Sequence, residues 1–178
     1  MKDHWTTTSI GGVFRAGTIF HSDDRGSFGE LWRESWTTGL DVDFVQANLS
    51  VSRPGVLRGL HFHRRQVDLW VLLEGLAQVA LVDVRNADAG GEVSSLTFDF
   101  TAGDAVLIPT GVAHGFLALE AVKLLYLVSN EYDGSDEHGF AWNDSRAGVK
   151  WRIQEPILSA RDASAPTLSM LREGMSRG

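Results

Sequence analysis

The stretch GVLRGLHFHRRQVDLWVLLEG, residues 55–75, decides the interpretation of this chain. It places several side chains that are capable of acid–base chemistry or metal binding in one apolar, strand-like run. His61 and His63 are two residues apart and therefore share one face of a strand. Arg58 precedes them and Asp68 follows shortly. Core packing explains such a face poorly. The stretch therefore predicts a site in which His61 is either a proton-abstracting base or, with His63 and Asp68, a metal ligand.

Composition limits the function classes that remain. The 178 residues predict one domain, residues 1–178, with a sizeable core. A formal charge of -7 argues against a surface for nucleic acid or for an anionic membrane. The absence of cysteine excludes disulfides and thiolate catalysis, so a metal would need histidine and carboxylate ligands. No signal-peptide pattern and no apolar run of about 18 residues is present, and we expect a cytoplasmic protein without a membrane partner.

The remainder of the chain is dominated by short strand-like runs separated by glycine-containing turns. Candidate helices are few and short, at residues 30–36 and 166–172. This pattern predicts an all-β sandwich or closed barrel. The runs that we predict as strands are residues 13–20, 41–52, 56–62, 67–74, 77–84, 93–100, 105–108, 112–119 and 122–129.

Two of these strands carry a signal for a polar interior. In residues 41–52, Gln46 and Asn48 share one strand parity while Val45 and Leu49 share the other, which places amides on one face and apolar groups on the opposite one. In the central stretch, Arg58 has the opposite parity to His61, so a flat strand would direct it outward. Only a bulge or bend near Gly59 would bring both side chains inward.

Two spaced motifs resemble the signatures of the cupin superfamily. The first runs Gly55-x5-His61-x-His63-x4-Asp68-x6-Gly75, and the second runs Gly103-x5-Pro109-x-Gly111-x2-His114. The resemblance implies a double-stranded β-helix, or jelly roll, with a few short peripheral helices. In the metal-containing members of that superfamily, positions matching His61, His63, Asp68 and His114 would bind an ion such as Fe, Mn, Zn or Ni.

A finer resemblance is to the nucleotide-sugar 3,5-epimerases, the family of dTDP-4-dehydrorhamnose 3,5-epimerase. It extends over roughly residues 13–166 in the family's order. Its motifs occur here as DDRGSFGE (23–30), FVQANLSVSRPGVLRGLHF (44–62), IPTGVAHGFLAL (108–119), LLYLVSNEYDGSDEHGF (124–140) and LSARDASAP (158–166). Five separated motifs in register make this match specific.

The resemblance assigns roles position by position. It implies that His61 is the catalytic base, that Asp162 orients it, and that Tyr132 is the proton donor. It implies a homodimer with shared active sites, a nucleotide-sugar substrate and no cofactor or metal. The matched positions that would contact the nucleotide sugar are Arg25, Glu30, Gln46, Asn48, Arg58, His114 and Glu137, with Arg25 and Glu30 reaching the partner's site, and Arg161 at a phosphate-binding position.

The chemistry follows from the residue types as well. A ketone at C4 of a hexose acidifies the protons on C3 and C5, and inversion needs a base on one face and an acid on the other. A neutral imidazole steadied by a carboxylate suits the first task, and a phenol suits the second. The chain departs from the family at Asp68, where a lysine is usual, and at His63, where a glutamine is usual. Inversion at C3, C5 or both, a metal-dependent cupin, and a non-catalytic sugar-binding cupin therefore remain alternative hypotheses.

Overall fold

Antiparallel β-strands are the main secondary structure of the computed structural model, which describes residues 5–40, 42–86 and 93–175, the last four without their side chains. Short 3-10 helices occur at Glu34–Trp36, Gly134–Asp136 and Ser145–Ala147. The strands and helices, in chain order, are β1 (Thr6–Thr7), β2 (Phe14–Gly17), β3 (Phe20–Asp23), β4 (Gly26–Gly29), β5 (Gln46–Ser52), β6 (Leu57–Phe62), β7 (Asp68–Glu74), β8 (Leu76–Asp83), β9 (Ser94–Thr101), β10 (Asp104–Ile108), β11 (Val112–Ala118), β12 (Val122–Val128), β13 (His138–Gly139), α1 (Ala160–Ala163) and α2 (Leu168–Met175).

The strands form two main sheets and a separate hairpin. One sheet has the order β1-β2-β10-β7-β12-β5, the other has the order β13-β6-β11-β8-β9, and β3 pairs only with β4. Neighbouring strands pair antiparallel throughout, and sequence neighbours often lie in different sheets. This alternation between two facing sheets is the arrangement of a double-stranded β-helix, so the predicted all-β jelly roll is confirmed.

The core lies between the two sheets. Trp70 and Leu124 from the first sheet meet Val79, Phe100 and Phe116 from the second in one buried apolar cluster. Burying these side chains supplies most of the free energy that holds the sheets together. β7 is buried on both faces, because segments near Trp5 and Phe44 cover its outer side. The core therefore fills one part of the space between the sheets and leaves the remainder for a site.

The predicted strand limits agree closely with the structure from β6 onward. The seven runs predicted after Gly55 correspond to β6–β12, and each predicted end differs from the observed one by at most one residue. The prediction at 13–20 merges β2 with the first residue of β3, and the predicted helix at 30–36 is only the 3-10 turn Glu34–Trp36. The helix predicted at 166–172 is α2. The turn predicted at residues 86–91, between the strands predicted at 77–84 and 93–100, lies outside the described residues except for Asn86.

Within the described residues, no helix is long and apolar enough to cross a bilayer.

A bend at Gly59 brings both parities of β6 to the interior. His114 pairs with His61, but Phe116 pairs with Arg58, so β6 accommodates one more residue than β11 between these two pairs. Gly59 has φ +120, a conformation that favours glycine. Arg58 and His61 consequently line the same cavity, as the bend hypothesis required.

We expect the variant Gly59→Ala to disrupt this bend. A Cβ at position 59 would lie 2.6 Å from the Cα of Gly115. Because this contact is with backbone atoms, it could be relieved only by a shift of one of the two strands. Together with the positive φ, this predicts a loss of about 2–4 kcal/mol in the free energy of unfolding.

Urea denaturation measures this loss, and Gly17→Ala in β2 is the control, because a Cβ there meets nothing within 4 Å. Equal, small effects of the two variants would show that the bend does not depend on glycine.

Candidate active site

A cavity of about 400 Å³ opens between the two sheets and collects most of the predicted site residues. Strands β5, β6, β7, β11 and β12 supply its walls, and residues 132–137 and 159–162 supply its rim. The predicted site residues that line it are His61, Asp162, Tyr132, Gln46, Asn48, Arg58, His114, Glu137 and Arg161, together with His63 and Asp68. The volume is in the range of small-molecule sites.

A short polar contact in the cavity joins His61 to Asp162. Nε2 of His61 lies 2.6 Å from Oδ1 of Asp162, across 101 residues of sequence. An ionised carboxylate only accepts, so Nε2 carries the proton that is donated, and Nδ1 remains as the ring atom with a free lone pair. An imidazole held in this tautomer is able to accept a proton from a bound molecule.

The start of helix α1 holds the carboxylate in place. Ser159 caps α1, and its Oγ accepts from the backbone N–H of Asp162 at 3.1 Å. Burial alone would raise the pKa of Asp162, but the hydrogen bond and charge of His61, with the Ser159 hydrogen bond and the charge of Arg161, lower that pKa below its usual value. Asp162 is therefore ionised at neutral pH and orients the imidazole.

Tyr132 stands at the exposed rim of the cavity. Its side chain is 72% exposed, and its hydroxyl donates to Oε2 of Glu137 at 3.4 Å. The backbone N–H of Tyr132 donates to Oε1 of Gln46 at 3.0 Å, and the side-chain amide of Gln46 donates in turn to Asn48 at 2.8 Å. These two hydrogen bonds hold the segment that contains Tyr132 against strand β5.

Two arginines bring positive charge to the cavity. Arg161 forms an ion pair with Glu137, and Arg58 donates from Nε to Oγ of Ser52 at 3.0 Å. Burial would raise the pKa of Glu137, but the hydrogen bond and charge of Arg161, with the charges of His61 and His63, lower it. Guanidinium groups suit phosphate oxygens because they offer several donors in one plane.

The strand predicted at residues 41–52 is shorter than predicted, since β5 covers only Gln46–Ser52, but its predicted polar face is confirmed. Gln46, Asn48 and Ser50 point into the cavity, while Leu49 and Val51 on the opposite face are 59% and 61% exposed. Oγ of Ser50 is buried and has no hydrogen-bond partner among the described residues. Buried hydroxyls normally find a partner, so this atom is available to a bound molecule or to water.

Arg25 and Glu30 lie outside the cavity. Arg25 sits at the tip of the β3–β4 hairpin and pairs with Asp23 at 2.6 Å, and Glu30 follows β4 and pairs with Arg33. Neither side chain lines the cavity of its own chain. Their position on a projecting hairpin is compatible with a role toward a second subunit, as the resemblance implies.

A second polar cluster occupies the inner wall. One ligand atom each from His63, Asp68 and His114 lies within 4.8 Å of the other two, and Nε2 of His114 lies 3.4 Å from Oδ2 of Asp68. Burial lowers the pKa of His114 to about 4, against the opposing charge of Asp68 and with help from His63 and His61. His61 pairs with Asp162 instead, so one of the four candidate ligands is separate and the other three form the cluster.

Sequence reasoning missed several cavity residues, namely Gln66, Trp70, Tyr126 and Ser159. Ser50 shares the parity of Gln46 and Asn48 and was part of the predicted polar face. Tyr126 pairs with Asn48 across β12 and β5, which only the sheet order reveals. Burial and the charge of Asp68 raise its pKa, against Arg58.

Comparison with known proteins gives consistent matches. The profile of the family described as dTDP-4-dehydrorhamnose 3,5-epimerase matches residues 7–170. The spore coat polysaccharide biosynthesis protein SpsL of Bacillus subtilis is 37% identical over 82% of this chain and 98% of its own length. The dTDP-4-dehydrorhamnose 3,5-epimerase of Salmonella typhimurium is 36% identical over 82% of this chain and 85% of its own.

One solved structure is similar to this chain in both fold and sequence. The 3'-monoepimerase from Streptomyces bikiniensis, in complex with dTDP-quinovose, superposes with a TM-score of 0.85 at 32% identity, covering 94% of this chain and 90% of its own. Fold, motif order and similarity over most of the length agree. The chain therefore belongs to the dTDP-4-dehydrorhamnose 3,5-epimerase family, a family of isomerases.

Proposed function

We propose that this protein inverts one or two carbons beside the ketone of a dTDP-linked 4-keto-6-deoxyhexose. The observation that carries the proposal is the His61–Asp162 pair, 2.6 Å apart inside a cavity large enough for a hexose. The membership of the chain in an epimerase family supports the substrate class. A non-catalytic sugar-binding protein would have no need of an oriented imidazole.

His61 is the proposed base. The C4 ketone lets the electrons left by a departing proton delocalise as an enolate, so the protons on C3 and C5 are acidic. With Nε2–H donated to Asp162, Nδ1 of His61 takes the proton, and the adjacent carboxylate stabilises the imidazolium that results. Proton transfer in both directions is redox-neutral.

Tyr132 is the proposed acid on the opposite face of the ring. Its hydroxyl lines the same cavity as His61 and is held by Glu137 at 3.4 Å. Returning a proton from that face inverts the carbon, whereas returning it from His61 restores the starting sugar. Tyr126, half-buried in the same cavity, is the second phenol that must be distinguished from it.

The nucleotide end of the substrate is proposed to meet the cationic and amide groups of the cavity. Arg58 and Arg161 are placed to bind the diphosphate, with Arg161 exchanging its Glu137 contact for phosphate. Gln46 and Asn48 offer hydrogen bonds to sugar and base.

C3 is the carbon that we propose to be inverted in any case. Named relatives include both 3,5-epimerases and a dTDP-4-dehydro-6-deoxyglucose 3-epimerase. Inversion at C3 is the step that both kinds of enzyme share. A second inversion at C5 is an additional capacity that the exchange experiment below resolves carbon by carbon.

A homodimer is proposed to complete the site. β5 is the edge strand of its sheet, and Val45, Leu49 and Val51 on its outer face are each more than half exposed, as are Ile19 and Phe28 beside the hairpin. An apolar edge strand next to a projecting hairpin fits a second copy of the chain. Arg25 and Glu30 would then reach the partner's cavity.

The first test of function is solvent exchange. In deuterium oxide with dTDP-4-keto-6-deoxyglucose, proton NMR should show deuterium entering at C3, and at C5 if both carbons invert. His61→Ala removes the base, and Asp162→Asn removes the acceptor that fixes the tautomer. Each is expected to slow exchange by about 10²–10⁴-fold.

Asp99→Asn is the matched control for Asp162→Asn, since Asp99 pairs with Arg152 outside the cavity and should leave the rate unchanged. Substrate binding without exchange in the wild-type protein would refute the enzymatic proposal and favour a sugar-binding role.

The second test separates the two phenols. Tyr132→Phe should slow formation of the inverted product by about 10²-fold or more while exchange at the same carbon continues, because the base is intact. Tyr126→Phe should leave the ratio of product to exchange near the wild-type value. Equal loss of product and exchange in Tyr132→Phe, or a selective loss in Tyr126→Phe, would contradict the assignment of the acid.

The third test concerns the dimer. Leu49→Glu places a charge on the exposed face of β5 and should weaken self-association by about 10-fold or more, as removal of a central interface residue does. Sedimentation velocity over a concentration series measures the effect. Met170→Glu is the control, because Met170 is 63% exposed on α2. An unchanged association constant for Leu49→Glu would place the interface elsewhere.

A further inference from the structure

The inner wall of the cavity carries three ligand-type side chains that the proposed proton transfers do not use. One donor atom each from His63, Asp68 and His114 lies within 4.8 Å of the other two. Asp68 and His114 are buried, and His63 is partly buried. The rings of His63 and His114 are 5.6 Å apart between centroids. Three residues from a loop and two separate strands thus converge on one point.

Both histidines are fixed in the same tautomer. Nδ1 of His63 lies 2.9 Å from the carbonyl oxygen of Asp136, and Nδ1 of His114 lies 3.1 Å from the carbonyl oxygen of Val112. A carbonyl oxygen only accepts, so each Nδ1 carries a hydrogen. Each Nε2 keeps a lone pair when the ring is neutral, and a backbone partner at the other nitrogen is the usual arrangement around a metal-binding histidine.

The orientation of His63 is itself reinforced. The two carboxylate oxygens of Asp136 accept from the backbone N–H groups of Arg64 and Arg65, each at 3.0 Å. This clamp fixes the loop that follows His63 and places the carbonyl of Asp136 against the imidazole. The ring is therefore oriented before any ligand arrives, which lowers the entropic cost of binding.

The carboxylate of Asp68 is oriented in the same way. Gln66 donates to Oδ1 at 2.7 Å and Trp70 donates to Oδ2 at 3.3 Å. Asp68 is 3% exposed, and the ion pairs of the described residues give it no lysine or arginine partner. Its Oδ2 faces Nε2 of His114 at 3.4 Å. An ion bound between these two atoms would have an imidazole nitrogen and a carboxylate oxygen as ligands, which is a common donor pair in metal sites.

We propose that His63, Asp68 and His114 bind one divalent transition-metal ion, such as Zn²⁺, Mn²⁺, Fe²⁺ or Ni²⁺, through two imidazoles and one carboxylate. This donor set suits those ions and leaves coordination positions open toward the cavity. His61 is not part of the set, because among the described residues only the donor atoms of His63, Asp68 and His114 all lie within 4.8 Å of one another. The base and the metal site are therefore separate and compatible.

The consequence for catalysis rests on the proposed epimerase function. An enolate forming in this cavity places negative charge near the buried Asp68 carboxylate, which opposes it. A divalent ion held by Asp68 reverses the local charge and stabilises the oxyanion. The metal site thus provides the positive charge that the inner wall otherwise lacks.

Binding is tested without reference to activity. Untagged protein is dialysed against EDTA, freed of chelator and titrated with Zn²⁺ by calorimetry and with Co²⁺ by visible absorption. We expect one ion per chain and a Co²⁺ spectrum typical of nitrogen and oxygen ligands. His63→Gln, Asp68→Asn and His114→Gln should each weaken binding by at least about 10-fold, since loss of even an outer partner of a ligand costs that much.

Two controls make the test specific. Asp99→Asn makes the same chemical change as Asp68→Asn but outside the cavity, and His61→Gln changes a cavity histidine outside the cluster. Both should bind Zn²⁺ with the wild-type affinity. Thermal denaturation of each variant establishes that it is folded. Absence of stoichiometric binding, or equal affinity in wild-type protein and all three cluster variants, overturns the site.

The exchange assay then separates the metal site from the proposed function. Metal-free protein should incorporate deuterium at least about 10-fold more slowly, the size of effect expected for a lost oxyanion stabiliser, and reloading should restore the rate. Stoichiometric binding with no exchange under any condition would overturn the epimerase function and leave the site. Full exchange in metal-free protein would overturn the catalytic role of the ion.

Discussion

The hydrogen bond between His61 and Asp162 is the constraint on which the site depends. It joins the middle of β6 to the first turn of α1 across 101 residues of sequence, so the C-terminal segment must fold back over the open end of the sheets to make it. Backbone hydrogen bonds from Leu57 to Ile157 and from Ala141 to Pro166 hold that segment in place. The serine cap of α1 then sets the carboxylate. A hydrogen bond to an ionised partner in a shielded site is stronger than one in water, and it selects a single tautomer of the imidazole.

This arrangement is possible because the sheets do not fill the space between them with apolar side chains. In one part of this space, Val79, Leu81 and Phe100 form a buried apolar core. At the open end, amides, arginines and histidines replace it. β5 shows the consequence most clearly, because its polar side chains face inward and its apolar side chains face outward. The inward amides face the proposed substrate and the outward apolar face is the one proposed to meet a second copy of the chain, so both proposals depend on the alternation of this one strand.

The sequence predicted the parts of this structure that depend on short-range periodicity. Strand ends from β6 to β12 were accurate because glycine-containing turns punctuate them, and cavity residues on β5 and β6 followed from parity. The bend at Gly59 was recognised as a requirement, since Arg58 and His61 have opposite parity. What periodicity could not supply was pairing over distance. Neither the Asp136 clamp on residues 64 and 65 nor the position of Tyr126 opposite Asn48 follows from local spacing. The 3-10 turn at Glu34–Trp36 was mistaken for a helix, because a few residues at helical spacing do not provide enough hydrogen bonds to propagate one.

The same limitation explains why two interpretations of residues 55–75 competed. Spacing alone offered His61, His63 and Asp68 as one set, in which a metal-bound His61 would be lost as a base. The structure removes the conflict, because Asp162 engages His61 while the backbone carbonyls of Asp136 and Val112 engage the other two rings. A base needs a free lone pair beside a charge that stabilises its protonated form, and a metal ligand needs a free lone pair beside other ligands. His61 lies beside Asp162 and meets the first condition, whereas His63 and His114 lie beside each other and Asp68 and meet the second. Two histidines that are two residues apart in sequence can therefore be suited to different chemistry, because the groups around each ring decide what its free nitrogen can bind.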